Sequence, residues 1–353
     1  MLTRKECSAL RGIAILAIML HNYCHWLRLA VKENEYTFSS LNNSRLIEAL
    51  THPDWNLPVH LLSYFGHYGV PVFLFLSGYG LVMKYEKASP DASQGEKGLP
   101  WMGWVRYHYL KLFRIMIVGY VLFLMVDFMT SGPHHYAFSD VVAQLLMVNN
   151  LMPQPDKIIW PGPFWFFGLM MQLYIVYRLL IYRRHWSNVL TLIIICCVIQ
   201  GMFIDDTVTL MRLRYNCLCG LLPFGLGVLT ARFCPPDISQ LKKWQWAVIA
   251  LVAIILMFFL SLNAYLWLWA PIAVIAAVIA IVKLTPARVL EWLVWTGGIS
   301  AAMFVAHPTL RKIFIPISHR GDVYTGLLLY IIASFVVSWI VMMIINKMPK
   351  PKL

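Results

Sequence analysis

The sequence predicts an all-helical bundle embedded in a membrane, with about ten transmembrane helices in one domain over residues 1–353. Three observations lead there. The chain is 60% hydrophobic and only 13% charged, against about a quarter charged in ordinary soluble domains. Its apolar residues come in blocks of about twenty, the length a helix needs to cross ~30 Å of hydrocarbon at 1.5 Å per residue. The basic residues gather in short connections beside those blocks, as charges that set membrane topology do.

In chain order, the expected spans are 9–29, 61–83, 109–130, 164–182, 188–204, 215–233, 246–262, 265–283, 293–313 and 324–346. The weakest is 293–313, because Gly297, Gly298, His307 and Pro308 interrupt it; such residues are tolerated at membrane depth only against protein or a wet cavity. Spans seven and eight should form a tight hairpin around Leu262 to Ala264. Alternating the connections places 20 basic residues on the side of both termini and nine on the other, so both termini are expected in the cytoplasm and the protein in the inner membrane. Residues 30–60 then form an outside loop with His52, Asp54 and His60. Residues 84–108 form a cytoplasmic loop, turn-rich and mobile across SPDASQGEKGLP. In the outside segment 131–163, Ala137 to Met152 is too short and polar to span, so an interfacial or re-entrant helix is expected.

The net charge is +13. On a soluble protein it would suggest nucleic acid; here membrane topology and anionic lipid headgroups account for it, and no nucleic acid partner is expected. Seven cysteines, Cys7, Cys24, Cys196, Cys197, Cys217, Cys219 and Cys234, lack paired metal-ligand spacing and read as small buried hydrophobes. Arg4 and Lys5 precede an apolar run that no small-residue cleavage site closes, so the first block is expected to stay as an anchor. No internal repeat stands out, which disfavours an inverted-repeat transporter.

Charged and imidazole groups inside apolar blocks carry the functional information, since each is costly in lipid. The first span holds Arg11, His21, Asn22, Cys24 and His25. Ten residues separate Arg11 from His21, about 15 Å along a helix and about 80° around it. His21 and His25 share a face. That pair alone resembles half a metal site, but no carboxylate or third histidine lies near it in sequence, and no metal is expected. Histidine is the side chain best suited to take a hydroxyl's proton near neutral pH; the plainer reading is a polar group bonded between helices. Arg11 can grip phosphate or carboxylate as a permanent fork-shaped cation, or simply anchor the helix. GVPVFLFLSGYG, residues 69–80, places Ser77 and Gly78 where helices can approach closely. YHYLKLFRI, residues 107–115, puts Lys111 and Arg114 one turn apart, as a phosphate grip or as headgroup anchors. WPGPFWFFGLMMQLY, residues 160–174, has interface tryptophans and a polar Gln172 within the fourth span. GGISAAMFVAHP, residues 297–308, ends on His307 and Pro308.

Taken in order, these segments resemble the acyltransferase 3 family of membrane O-acyltransferases. LRGIAILAIMLHN, residues 10–22, looks like that family's first helix. FLFLSGYG is similar to its SGF-type motif, Lys111 and Arg114 to its basic pair, Trp165 to Tyr174 to its W-x-L…E-x-x-F/Y helix, and GGISAAMFVAHP to its S-x-x-x-F/Y-x-x-H segment. The similarity runs from about residue 8 to 345. Three features depart from it: nine residues rather than ten lie between Arg11 and His21, Gln172 stands where many members have glutamate, and no proline follows Arg114.

The resemblance implies ten helices with cytoplasmic termini, an acyl-CoA donor such as acetyl-CoA reaching the bundle from the cytoplasm, and an acceptor met in the membrane or beyond it. His21 would be the base, with His25 as its neighbour or substitute. Arg11 would contact the donor's phosphates or carbonyl region. Ser77, Gly78 and Tyr79 would shape the acyl pocket, and Lys111 and Arg114 would hold phosphates. Trp165, Gln172, Tyr174, Ser300 and His307 would support the site or the acceptor. No permanently bound cofactor is expected. With no appended soluble domain, the acceptor is expected to be a glycan, a lipid-linked sugar or a small molecule, and membrane lipids are the other partners. The competing expectation is a carrier or flippase of a polysaccharide or lipid-linked precursor, in which the same polar residues line a path and do no chemistry.

Overall fold

The computed structural model describes residues 2–87, 100–235 and 241–351. Most of the turn-rich SPDASQGEKGLP stretch, with Lys97 and Lys352, lies outside the described residues. Among those residues every regular element is helical. The elements are α1 (Arg4–Cys24), α2 (Ser40–Thr51), α3 (Leu57–Phe65), α4 (Gly69–Tyr85), α5 (Trp101–Met129), α6 (Phe138–Leu145), α7 (Pro155–Ile158) and α8 (Trp165–Val176). There follow α9 (Trp186–Met202), α10 (Thr207–Arg214), α11 (Cys217–Phe233), α12 (Lys243–Ser261), α13 (Ala264–Trp267), α14 (Ala270–Leu284), α15 (Ala287–Arg320) and α16 (Val323–Lys347).

Among the described residues, seven stretches are long and apolar enough to cross a membrane: Arg4–Cys24, Leu57–Tyr85, Trp101–Met129, Gly162–Ile181, Lys243–Ser261, Ala287–Arg320 and Val323–Lys347. Helices α10 and α11 pass the same test together, bent by 48° at their junction. Helices α9 and α14 are apolar but shorter, at 17 and 15 residues. Each of the ten expected stretches thus falls on an apolar helix. The protein is a multi-pass membrane protein.

Local chemistry sets several ends. The Thr3 hydroxyl accepts from the Glu6 amide and the Glu6 carboxylate accepts from the Thr3 amide, closing a capping box at the start of α1. Asp322 caps α16 through the Thr325 amide. One expectation needs correction. The connection after α12 is longer than the expected tight turn, because Asn263 caps a separate short helix, α13, before α14 begins, although α12 and α14 still pack on each other. Residues 293–313, the weakest expected span, lie inside the longest helix, α15, of 34 residues. Its glycines are packing surface: a methyl on Gly297 would sit 1.9 Å from the Ser8 carbonyl oxygen, and one on Gly12 would sit 2.2 Å from that of Leu293. Helices α1 and α15 therefore touch backbone to backbone, and Thr296, Ser300, His307 and Thr309 of α15 are buried against protein.

Burial sorts the helices into centre and rim. The apolar window of Leu57–Tyr85 is 72% buried, that of α12 only 22%. Helices α1, α4, α8 and α15 form the centre, while α5, α12 and α16 turn long apolar faces outward, as lipid-facing helices do. The segment expected to lie at the interface carries the short helix α6 and a 3-10 turn at Asn149–Leu151.

Candidate active site

Two cavities lie along α1. The first surrounds its earlier half. It has a volume of about 390 Å³ and is lined by Arg11, Ser77, Lys111, Tyr174 and Ser300, with Phe73 and Met170 among the apolar groups. A contiguous space of about 240 Å³ shares Arg11, Ser77, Lys111 and Tyr174 and adds Lys84 and His108. Three cations on flexible stems thus face one opening. The second cavity, about 170 Å³, surrounds the far end of α1 and is lined by His21, Asn22, His25, His67 and Arg311. Much of its remaining wall is aromatic, with Trp26, Tyr36, Trp160, Trp165 and Tyr215. Ile18, Phe166 and Phe304 line both the 390 Å³ cavity and the histidine cavity, so the two adjoin, divided by these side chains as an apolar neck.

The histidines are set by backbone carbonyls. His21 Nδ1 lies 2.9 Å from the Ser63 carbonyl oxygen. A carbonyl can only accept, so Nδ1 carries the hydrogen and the neutral ring keeps its lone pair on Nε2. His67 Nδ1 is held likewise by the Tyr64 carbonyl at 2.8 Å. The His21 ring lies 5.1 Å from that of His25 and 5.5 Å from that of His67, centroid to centroid. The approach that permits this depends on glycine: a methyl on Gly66 would sit 2.7 Å from both the Ala17 carbonyl oxygen and the His21 Cβ. The 3-10 turn Gly66–Tyr68 between α3 and α4 thereby presses against α1 and brings the Ser63 carbonyl to His21. Among the described residues no set of three histidine, cysteine or acidic side chains is arranged to hold a metal.

The connection after α1 closes the histidine cavity with Asn34, Glu35 and Tyr36. The Tyr36 ring stacks on Tyr215, 4.1 Å between centroids and 4° between planes. Burial pushes the Glu35 carboxyl up to about 7 and that of Glu33 up to about 8. Glu33 Oε2 is buried without a hydrogen-bond partner.

The sequence-predicted residues divide by place. Arg11, Ser77, Lys111, Tyr174 and Ser300 meet at the first cavity; His21, His25 and Trp165 meet at the second. Five others line neither. Arg114 donates to the Ile345 carbonyl of α16, which turns it away from Lys111; one helical turn is not enough to keep two long side chains together. Gly78 packs against α11, where a methyl would sit 2.1 Å from the Phe224 carbonyl oxygen. The Tyr79 hydroxyl bonds the backbone of Leu2. Gln172 accepts from the Cys217 amide and donates to Asn216, tying α8 to the start of α11. His307 is wholly buried, its Nδ1 on the Met303 carbonyl and its Nε2 sealed. In the 30–60 loop, His52 is exposed and His60 accepts from the Val31 amide. The cavity residues of that loop are Asn34, Glu35 and Tyr36 instead.

Sequence reasoning passed over His67, Arg311, Glu35 and the aromatic wall. By sequence Arg311 is one of the nine basic residues on the side away from the termini. Its place one helical turn after His307 was the available signal, as was an imidazole within the second apolar block for His67.

The sequence pattern of the acyltransferase 3 family, an acyltransferase domain, matches residues 5–345. The chain belongs to that family. No curated protein and no solved structure matches it. The match covers α1 through nearly all of α16, so both cavities and the neck lie within the family's domain, and the protein is in general terms a membrane acyltransferase.

Proposed function

We propose that this acyltransferase moves an acyl group, acetyl in the first instance, from a cytoplasmic acyl-CoA to a hydroxyl of a glycan, a lipid-linked sugar or a small molecule. In this reading all ten apolar stretches cross the inner membrane and both termini are cytoplasmic. The Arg11 cavity then opens inward and takes the donor; the histidine cavity lies toward the other face and takes the acceptor. Arg11, Lys111 and Lys84 offset the negative charge of the carrier's phosphates, and its thioester reaches the neck at Ile18, Phe166 and Phe304. His21 Nε2 takes the proton of the acceptor hydroxyl as its oxygen bonds the acyl carbon. The carbon–sulfur bond breaks, the CoA thiolate leaves, and the proton passes from His21 to it, leaving an ester and free CoA.

The observation that carries this reading is the adjacency of the two cavities across an apolar neck, with His21 beyond it, its Nδ1 held by the Ser63 carbonyl and Nε2 left as the basic nitrogen. Purified protein given [¹⁴C]acetyl-CoA and a crude membrane glycan fraction is expected to label the glycan, and His21→Ala to abolish labelling at unchanged protein level. Passage of the acceptor across the membrane without acylation, with His21→Ala inert in cells, would establish the carrier reading in its place.

A further inference from the structure

The basic residues of the bundle differ in how their charge is met. Arg232 pairs with Glu86 at 2.7 Å, Lys283 with Glu6 at 2.6 Å, and Lys312 with Asp127. Arg214 has no carboxylate ion pair among the described residues but is otherwise engaged: it donates to the Glu35 carbonyl and to Gln200 and lies 4.0 Å above the Trp267 ring. Arg311 is only 6% exposed, and among the described residues it has no carboxylate partner. Its one hydrogen bond is a long one, from Nη1 to Asn22 Oδ1 at 3.3 Å, and its guanidinium stands 4.6 Å over the Trp26 ring. Arg311 lines the histidine cavity, where it is the sole permanent cation among the described lining residues.

A buried guanidinium costs several kcal/mol unless it is paired and hydrogen-bonded. One left with donor capacity in a cavity points to an anion supplied from outside the chain. A guanidinium fork matches the two oxygens of a carboxylate or phosphate. The other aromatic residues of the same cavity, Tyr36, Trp160, Trp165 and Tyr215, suit an apolar or sugar-ring face rather than a second charge. Glu35 is the one carboxyl lining the same cavity, and burial favours its neutral form, which lessens its repulsion of an anion.

We infer that Arg311 is an acceptor-binding residue and that the group acylated belongs to a negatively charged acceptor, a sugar carrying a carboxylate or a phosphate. The inference rests on the acyltransferase reading for the word acceptor, but the anion site itself does not need turnover. With the anion on Arg311, a hydroxyl elsewhere on the same molecule is presented toward His21, which shares the cavity wall.

The test is a binding measurement on the full chain in detergent micelles, by quenching of tryptophan fluorescence, with three probes of one sugar scaffold: methyl β-glucoside, methyl β-glucuronide and glucose 1-phosphate. At least one charged probe is expected to bind about tenfold or more tighter than the neutral one. Arg311→Gln, which can keep the bond to Asn22, should erase that preference, and Arg311→Lys should keep part of it. A preference for the glucuronide assigns a sugar acid, and one for glucose 1-phosphate a phosphorylated or lipid-linked sugar. Equal binding of all three by the unaltered protein, no binding of any, or a charge preference that survives Arg311→Gln would each overturn the inference. Loss of acyl transfer in His21→Ala, with the charge preference intact, would leave the two readings separately judged.

Discussion

The two cavities along α1 are built on opposite principles. At the Arg11 end, charge is carried on long stems: Arg11 and Lys111 are exposed at the opening, and the walls beyond are largely aliphatic and aromatic. At the His21 end, two imidazoles are buried and held by backbone, His21 by Ser63 and His67 by Tyr64. The first suits a carrier that comes and goes, because flexible cations tolerate variation in phosphate position. The second suits chemistry, because an imidazole whose tautomer is set by a carbonyl presents one defined nitrogen. The neck of Ile18, Phe166 and Phe304 divides the two.

The sharpest break in that comparison is at His21. His21→Ala is expected to reduce acyl transfer from labelled acetyl-CoA by about 10²-fold or more, with donor affinity within about threefold of the unaltered protein. A donor affinity that collapses instead would place His21 in carrier binding. Next come the two basic residues of α5. Lys111→Ala should raise the apparent KM for acyl-CoA about tenfold, equivalent to about 1.4 kcal/mol, and Arg114→Ala no more than about twofold, since Arg114 is spent on Ile345. Equal effects would restore them as a pair. The neck gives a smaller effect: Phe304→Ala widens it, and the ratio of hexanoyl to acetyl transfer should rise by about fivefold, on the scale that a methylene or two carries in an apolar pocket. An unchanged ratio would remove Phe304 from the acyl path.

The smallest expected effect concerns the connection that closes the histidine cavity. Burial holds the Glu33 carboxyl up at about 8, above its ordinary value of 4.5. Between those values the folded loop binds more protons than the opened one, so its stability is present at low pH and is lost as pH rises through about 8. Amide hydrogen exchange over residues 31–37, corrected for intrinsic rates, should therefore quicken by a few-fold between pH 6 and pH 9, and Glu33→Gln should flatten the change. A loop whose protection rises with pH would contradict the assignment.

Apolar block length, basic-residue asymmetry and the motifs were legible because each is local. Block length reports the thickness of hydrocarbon directly, and all ten blocks fall on apolar helices. Part of the site was legible for the same reason: a ten-position separation on one helix sets Arg11 and His21 about 15 Å apart along it. Side-chain direction was not legible. Lys111 and Arg114 are equivalent by spacing, and only the position of α16 turns one of them away. Gly78 read as a point of close helix approach and Gly297 as a helix breaker, and only the structure shows that their partners are α11 and α1.

The sequence by itself determined the environment, the helices, the family and the presence of imidazole and guanidinium inside apolar blocks, because composition and period are properties of neighbouring residues. Only the tertiary structure decided which of those groups face a common space. It brought His67 from the second apolar stretch and Arg311 from α15 to His21, and turned Arg114, Gln172 and His307 into structural ties. That choice depends on where glycines let backbones touch and which carbonyls they bring within reach, and those are distances between segments far apart in the chain.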